Sequence, residues 1–217
     1  MKAETLRSSI LQWAIEGKLV PQLDTEPGVA QIGDAPENIP FAIPEKWKWV
    51  RIHFIGNVVG GGTPKTTNHL YWENGTIDWF TPSDLGKITG KYAVNSLRKI
   101  TEQGLKESSA TLMPEGSILY SSRAPIGHIA ISTKPCCTNQ GCKSIVPNTK
   151  LITNDWAYFV MIARTNDIKS RATGTTFKEI SAKGISETYI PLPPLAEQRR
   201  IVARLNELLA EVDRLKA

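Results

Sequence analysis

Apolar residues recur at intervals of three and four near both ends of this chain, and gather in short runs between them. Thr5 to Gly17 puts Leu6, Ile10, Trp13 and Ala14 on one face of a helix that Gly17 would end. At the other end, Thr188 to Leu192 runs extended into Pro193 and Pro194, which cannot continue a central strand and preset a helix start. From there Leu195, Ile201, Val202, Leu205, Leu208, Leu209, Val212 and Leu215 form a continuous stripe. Charged residues from Arg199 to Lys216 lie opposite, and their i, i+3 pairs add only tenths of a kcal/mol each, so the helix depends on what covers the stripe. At 1.5 Å per residue it is about 34 Å long, more than a small core needs. It is either a terminal core helix or a helix that pairs with another: in a second chain, in a continuation, or with the Thr5–Gly17 segment, in cis or across a dimer.

Between these helices, Ile77 to Phe80, Gly116 to Tyr120, Ile126 to Ser132 and Gly141 to Val146 read as strands. A helix is expected near Thr101 to Ser109, and another from Asn154 with Trp156, Phe159, Val160 and Ala163 buried. Thr176 and Glu179 have capping-box spacing for a short helix that Gly184 would end. Residues 21–45 hold five prolines among Asp, Glu and Gly and read as a linker passing from ordered to mobile. Trp47, Trp49, Val50, Ile52 and Phe54 then open the globular part. The expected fold is α/β (α+β): an N-terminal amphipathic helix (1–20), the linker (21–45), a mixed-sheet domain (46–193) and a long helix of coiled-coil type (194–217).

Charge adds a direction. The formal net charge is +5, and residues 61–190 carry fifteen Lys/Arg against ten Asp/Glu, while the flanking segments nearly balance. A basic excess in one globular segment suits a polyanion. Lys65 follows the glycine run Gly60–Gly62, which either approaches a phosphate or makes a tight turn. Lys87 and Lys91, with Arg98, Lys99 and Lys106, form a basic segment that is either a solvated face or a phosphate contact. Arg123, Asn139 and Gln140 suit base edges and Lys143 a phosphate, although Arg123 and Asn139 also suit loops that fix the domain's own structure. Lys169, Arg171, Thr175 and Lys178 surround a loop rich in hydroxyls and cations. Asp84, in a turn, suits a self-capping role better than catalysis.

Several chemistries are disfavoured. The glycine run has the wrong spacing for a nucleotide loop, no G-x-G-x-x-G is present, and His53, His69 and His128 are isolated. Asp167-x-Lys169 is only half of a nuclease motif. Cys136, Cys137 and Cys142 lack zinc-site spacing and fit free thiols in a reducing cytoplasm. No stretch has the length of a membrane span, and Glu4, Arg7, Gln12 and Glu16 interrupt any signal-type apolar run. A soluble, non-catalytic protein without metal or cofactor of its own is expected.

The run IPLPPLAEQRRIVARL resembles the conserved region of the specificity subunit of type I restriction-modification systems. LRSSILQWAIEGKLVPQ, PEKWKWVRI, GGTPK, GTIDWFTPSDL, GSILYSSRAPIGHIAI and TNQGCKSIVP match the same family in the expected order. The resemblance implies a target-recognition domain that binds one half of a split site on double-stranded DNA, and a helix that spaces it from a second such domain. It further implies methyltransferase subunits that bind S-adenosylmethionine, and motor-nuclease subunits using ATP and Mg. Leu195, Val202, Leu205, Leu208, Leu209, Val212 and Leu215 would then be the helix-pairing interface. Family members carry two recognition domains and two conserved helices; one of each appears here, as in a half-subunit that dimerises or a piece of a longer subunit. A protein-interaction adaptor and a nuclease fragment are the alternatives from other classes.

Overall fold

A computed structural model describes residues 3–175 and 178–214. In chain order, α1 (Ala3–Ile15) is followed after a long irregular segment by β1 (Lys48–Arg51), α2 (Ile52–Ile55) and β2 (Gly56–Gly60). Next come β3 (Ile77–Phe80), α3 (Pro82–Gly86), β4 (Tyr92–Ala93), β5 (Arg98–Ile100) and α4 (Glu102–Lys106). Strands β6 (Ile118–Tyr120), β7 (Ile129–Ser132), β8 (Cys136–Thr138) and β9 (Lys143–Pro147) lead to α5 (Asn154–Ser170). The chain closes with α6 (Ala182–Ser186), β10 (Tyr189–Leu192) and α7 (Leu195–Arg214).

The sheets are mixed. A five-stranded sheet has the order β2-β9-β6-β7-β4, antiparallel except for the parallel pairing of β4 with β7. A three-stranded sheet, β5-β3-β8, joins an antiparallel and a parallel pair. β1 and β10 pair antiparallel, Lys48 opposite Leu192 and Arg51 opposite Tyr189, so the chain reaches and leaves the body at one place. Helix α5 lies on the five-stranded sheet, with Trp156, Phe159, Val160 and Met161 buried against Ile118, Tyr120 and Ile145. The three cysteines are buried and unpaired, and burial pushes each thiol up to about 12, so none is a thiolate at neutral pH.

Helices α1 and α7 run antiparallel. Arg7 donates to Asp213 at 3.0 Å near one end, and Gln22, just past α1, donates to Glu197 at the other. α1 ends in a Schellman turn: Lys18 N–H bonds the Trp13 carbonyl at 2.9 Å, Gly17 N–H that of Ala14 at 3.1 Å, and Gly17 takes φ 72°. Ile10, Ala14 and Ile15 share one core with Ile201, Val202, Leu205 and Val212. The expected pairing interface is therefore largely satisfied within the chain. Val202, Leu205 and Val212 are buried, Leu208 and Leu209 are half-buried on the same core, Leu195 is half-buried, and Leu215 lies outside the described residues. The stripe needed a cover, and α1 with α5 supplies it.

Residues 21–45, the expected linker, form an irregular and largely exposed strap that touches the body at several points. Val29 N–H bonds the Lys46 carbonyl at 2.9 Å, Arg200 clasps Glu26 at 2.8 Å, and Asp34 accepts from both Arg51 and the Tyr189 hydroxyl at 2.6 Å. Phe41 packs edge-on to Trp49 with ring centroids 4.8 Å apart. Prolines stiffen the strap, and its polar residues meet partners on the body that local composition does not reveal. The short helix starts later than the Thr176/Glu179 spacing suggested. Its cap is Ser181, whose Oγ accepts from Gly184 N–H at 3.0 Å, and Gly184 lies inside it, where a Cβ would crowd Ile180. Thr176 lies outside the described residues.

Candidate nucleic-acid interface

Four segments far apart in sequence meet at one edge of the body: Gly61–Lys65 after β2, Ser121–Gly127 after β6, Asn139–Cys142 between β8 and β9, and Thr173–Thr175 with Lys178–Glu179. The glycines explain the closeness. A Cβ on Gly61 would collide with the Asn139 carbonyl and one on Gly62 with the Ser109 and Ala110 backbone, so they serve tight chain approach. Gly61 N–H bonds the Cys142 carbonyl at 3.2 Å, and Gly62 N–H that of Thr138 at 2.9 Å. Thr63 donates its hydroxyl to the Gln140 side chain. Ser122 N–H bonds the Gly141 carbonyl at 2.8 Å, and Ile180 N–H bonds the Ser122 carbonyl at 3.0 Å. Thr173 and Glu179 exchange two backbone hydrogen bonds of 3.0 and 2.8 Å.

On this edge Glu179 sits between two cations, its Oε2 3.5 Å from Arg123 Nη1 and its Oε1 3.4 Å from Lys143 Nζ. Lys143 also donates to the Gln140 carbonyl at 2.9 Å. Lys65, Gln140, Thr175 and Lys178 are exposed beside them. Among the described residues, neither Lys65 nor Lys178 forms an ion pair with an acid. Asn139 divides its roles: its Oδ1 accepts from Gly141 N–H at 2.9 Å in an Asx turn, so that oxygen shapes the loop. Lys169 borders the edge, close to Gly127. Lys87 is exposed just past α3, where a Cβ on the preceding Gly86 would collide with the His128 ring.

Two candidates do not join them. Lys91 lies at the N-terminal end of α5, donating to Asp155 at 2.5 Å with its ammonium over the Tyr92 and Phe159 rings at 5.1 and 5.7 Å. Burial pulls its pKa down, yet Asp155 and Tyr92 together outweigh burial and the net shift is upward. Arg171 braces α6, donating to the Gly184 carbonyl at 2.9 Å, Thr188 Oγ1 at 2.7 Å and Asp167 at 3.1 Å. The basic segment also splits, because buried Asp78 draws in Lys134 at 2.8 Å and Lys99 at 3.6 Å. Burial would raise the Asp78 pKa, but Lys134 and Ser96 hold it below the ordinary carboxylate range.

Three residues that matter were not singled out as site residues. Arg98 stacks its guanidinium 3.6 Å from the centroid of Trp72, whose indole N–H bonds the Lys65 carbonyl at 3.2 Å. That cation and ring adjoin the glycine loop; an Arg beside a Trp in space has no signature in local sequence. The spacing with Thr176 suggests a helix cap for Glu179, whose carboxylate instead meets Arg123 and Lys143. Gln198 is wholly buried, accepting from Thr153 N–H at 2.8 Å and donating to the Leu151 and Pro193 carbonyls at 2.9 Å each. Asp84 closes a reciprocal cap with Thr81, at 2.8 Å from Thr81 N and 2.7 Å from its hydroxyl, as its turn position suggested. The described residues contain no cluster of His, Cys, Asp and Glu that could hold a metal, and no helix among them is long and apolar enough to cross a membrane.

Comparison with known proteins gives these features a setting. The family model for the type I restriction modification DNA specificity domain matches residues 44–217. The specificity subunit of the type I restriction enzyme MjaIX from Methanocaldococcus jannaschii is 38% identical over 166 residues, covering 76% of this chain and 38% of that protein. The EcoR124I/EcoR124II specificity subunit of Escherichia coli is 32% identical, covering 74% of this chain and 40% of that one. The crystal structure of the HsdS subunit from Thermoanaerobacter tengcongensis superposes with a TM-score of 0.66 over 99% of this chain and 46% of its own; at 22% identity it shows a shared fold. The chain thus spans about two fifths of the length of the curated relatives it matches. It belongs to the type I restriction-modification DNA specificity domain family.

Proposed function

We propose that this chain is a non-catalytic reader of duplex DNA, and that the edge carrying Lys65, Arg123, Asn139, Gln140, Lys143, Thr175 and Lys178 lies against the duplex, with Lys87 and Lys169 at its margin. The observation that carries this reading is the convergence of four sequence-distant loops onto one basic edge, in a fold whose relatives are named as specificity subunits. Gln140, exposed and with its amide N–H free among the described residues to face outward, suits a base edge; the cations suit phosphates. The antiparallel pair of α1 and α7 serves as a stiff arm beside the 46–193 recognition domain.

In a complete complex, methyltransferase subunits bearing S-adenosylmethionine and a motor-nuclease subunit using ATP and Mg would supply the chemistry, in the cytoplasm where the DNA is. A second recognition half would come from another copy or from further sequence. Sedimentation distinguishes these: a two-chain mass at tens of micromolar supports pairing between copies, through half-buried Leu208 and Leu209 and exposed Trp13, whereas a single-chain mass assigns the second half elsewhere.

Binding to duplex DNA over a salt series tests the reading. A reader loses affinity linearly in log salt with a slope of about 0.9 per phosphate contacted. An adaptor shows no such dependence, and metal-dependent cutting by the chain alone favours a nuclease. Mapping methylated adenines in cells that carry this gene with its partner subunits then identifies the target sequence.

A further inference from the structure

Two acids close to the basic edge have local explanations: Asp84 caps α3, and Asp167 pairs with Arg164 and Arg171. Glu179 differs from them: among the described residues it is the acid that pairs with Arg123 and Lys143 on this edge. Its backbone is fixed on both sides, by the exchanged hydrogen bonds with Thr173 and by Ile180 N–H on Ser122. The carboxylate is therefore held in place between Arg123 and Lys143. These cations are 36% and 15% exposed and Glu179 is 35% exposed, so the group is reachable by an outside anion.

We infer that Glu179 is a specificity-positioning residue: its carboxylate occupies Arg123 and Lys143 as an internal anion and so restrains their capture of phosphates on non-target duplex. The inference rests on the DNA-reading proposal above. A phosphate approaching either cation meets a fixed negative charge within a few ångströms, and has to share or displace it. Non-specific association is mostly phosphate capture and feels this repulsion in full, whereas a target duplex also gains base contacts that offset it. A restraint of this kind gives up affinity for all duplexes and gives up least for the right one. It also keeps two flexible cations in one arrangement, where uncompensated charges would splay apart.

The test is anisotropy of a mixed-sequence duplex titrated with the full chain and with Glu179→Gln, from about 50 to 300 mM salt. The amide keeps the shape and removes the charge. E179Q is expected to bind about five- to tenfold more tightly at the low-salt end, with a slope steeper by about one phosphate contact. Adding Lys143→Gln should remove most of that gain. A merely structural role for Glu179 would weaken binding and leave the slope unchanged; that result, or superimposable curves, overturns the inference. If E179Q is unfolded by circular dichroism, Glu179→Asp, which keeps the charge but draws it away from the cations, is read instead: a smaller gain supports the inference and none overturns it. Failure of the unaltered chain to bind duplex at low salt removes the DNA-reading proposal itself, a different outcome from binding that E179Q leaves unchanged.

Discussion

Glu197, at the first turn of α7, is buried, and burial raises its pKa, with Trp47, Gln22 and Arg200 opposing the shift. A carboxyl whose folded pKa exceeds its unfolded value costs stability where it must ionise, and the cost disappears as pH falls through the folded pKa. Glu197→Gln should therefore be more stable than the unaltered chain at pH 7.5, and the difference should shrink towards pH 5. Urea unfolding at several pH values checks this, and a gap that widens on acidification contradicts it. Asp78 has the opposite sign. Its lowered pKa contributes stability above the ordinary carboxylate range that is lost as pH falls through the folded value. Residues of this kind were hard to read from sequence because their partners are remote: Lys91 meets Asp155 64 positions away and Arg200 meets Glu26 across 174. Counting cations gave the sign of the surface; only the fold shows that Lys91, Lys99 and Arg171 are already engaged, while among the described residues Lys65 and Lys178 form no ion pair.

The junction between β10 and α7 is the element on which the architecture turns, and Gln198 ties it to α5. It satisfies the Thr153 amide, the last N–H before the α5 helix, and two carbonyls that would otherwise be buried without partners. Gln198→Ala leaves all three unsatisfied and should lower stability by about 3 kcal/mol, at about 1 kcal/mol per lost bond. Chemical denaturation measures this, and a loss below about 1 kcal/mol would show that water or a neighbour takes over the bonds. Elements with strong periodicity were legible. The stripes of α1 and α7 and the Ile-rich runs of β6, β7 and β9 appear where their patterns placed them, shifted by a few residues. The short pieces β4, β5 and β8 were not legible, because two or three residues carry no period, and β4 and β8 in addition pair with parallel neighbours far along the chain. The contacts of the strap at 21–45 escaped for a related reason, since their partners Arg51, Trp49 and Arg200 lie outside it in sequence.

At the scale of the whole molecule, α5 separates two ends with different electrostatic character. Its C-terminal end, near Lys169, borders the loop edge where Arg123, Lys143, Lys65 and Lys178 gather. Towards its N-terminal end lie Lys91 bound to Asp155 and exposed Lys150, while Arg7 bound to Asp213 flanks its middle and Arg214 is exposed at the end of α7. Total charge cannot distinguish these ends, so a net +5 leaves open which side meets a polyanion. The direct measurement compares duplex affinity over a salt series for a chain with Lys65, Arg123, Lys143 and Lys178 neutralised to Gln against one with Lys150 and Arg214 neutralised. The first should bind at least about a hundredfold more weakly at low salt with a slope reduced by about three to four, while the second stays near the unaltered chain. Equal losses in the two variants, or a slope untouched by the first, would contradict the assignment of this edge to DNA.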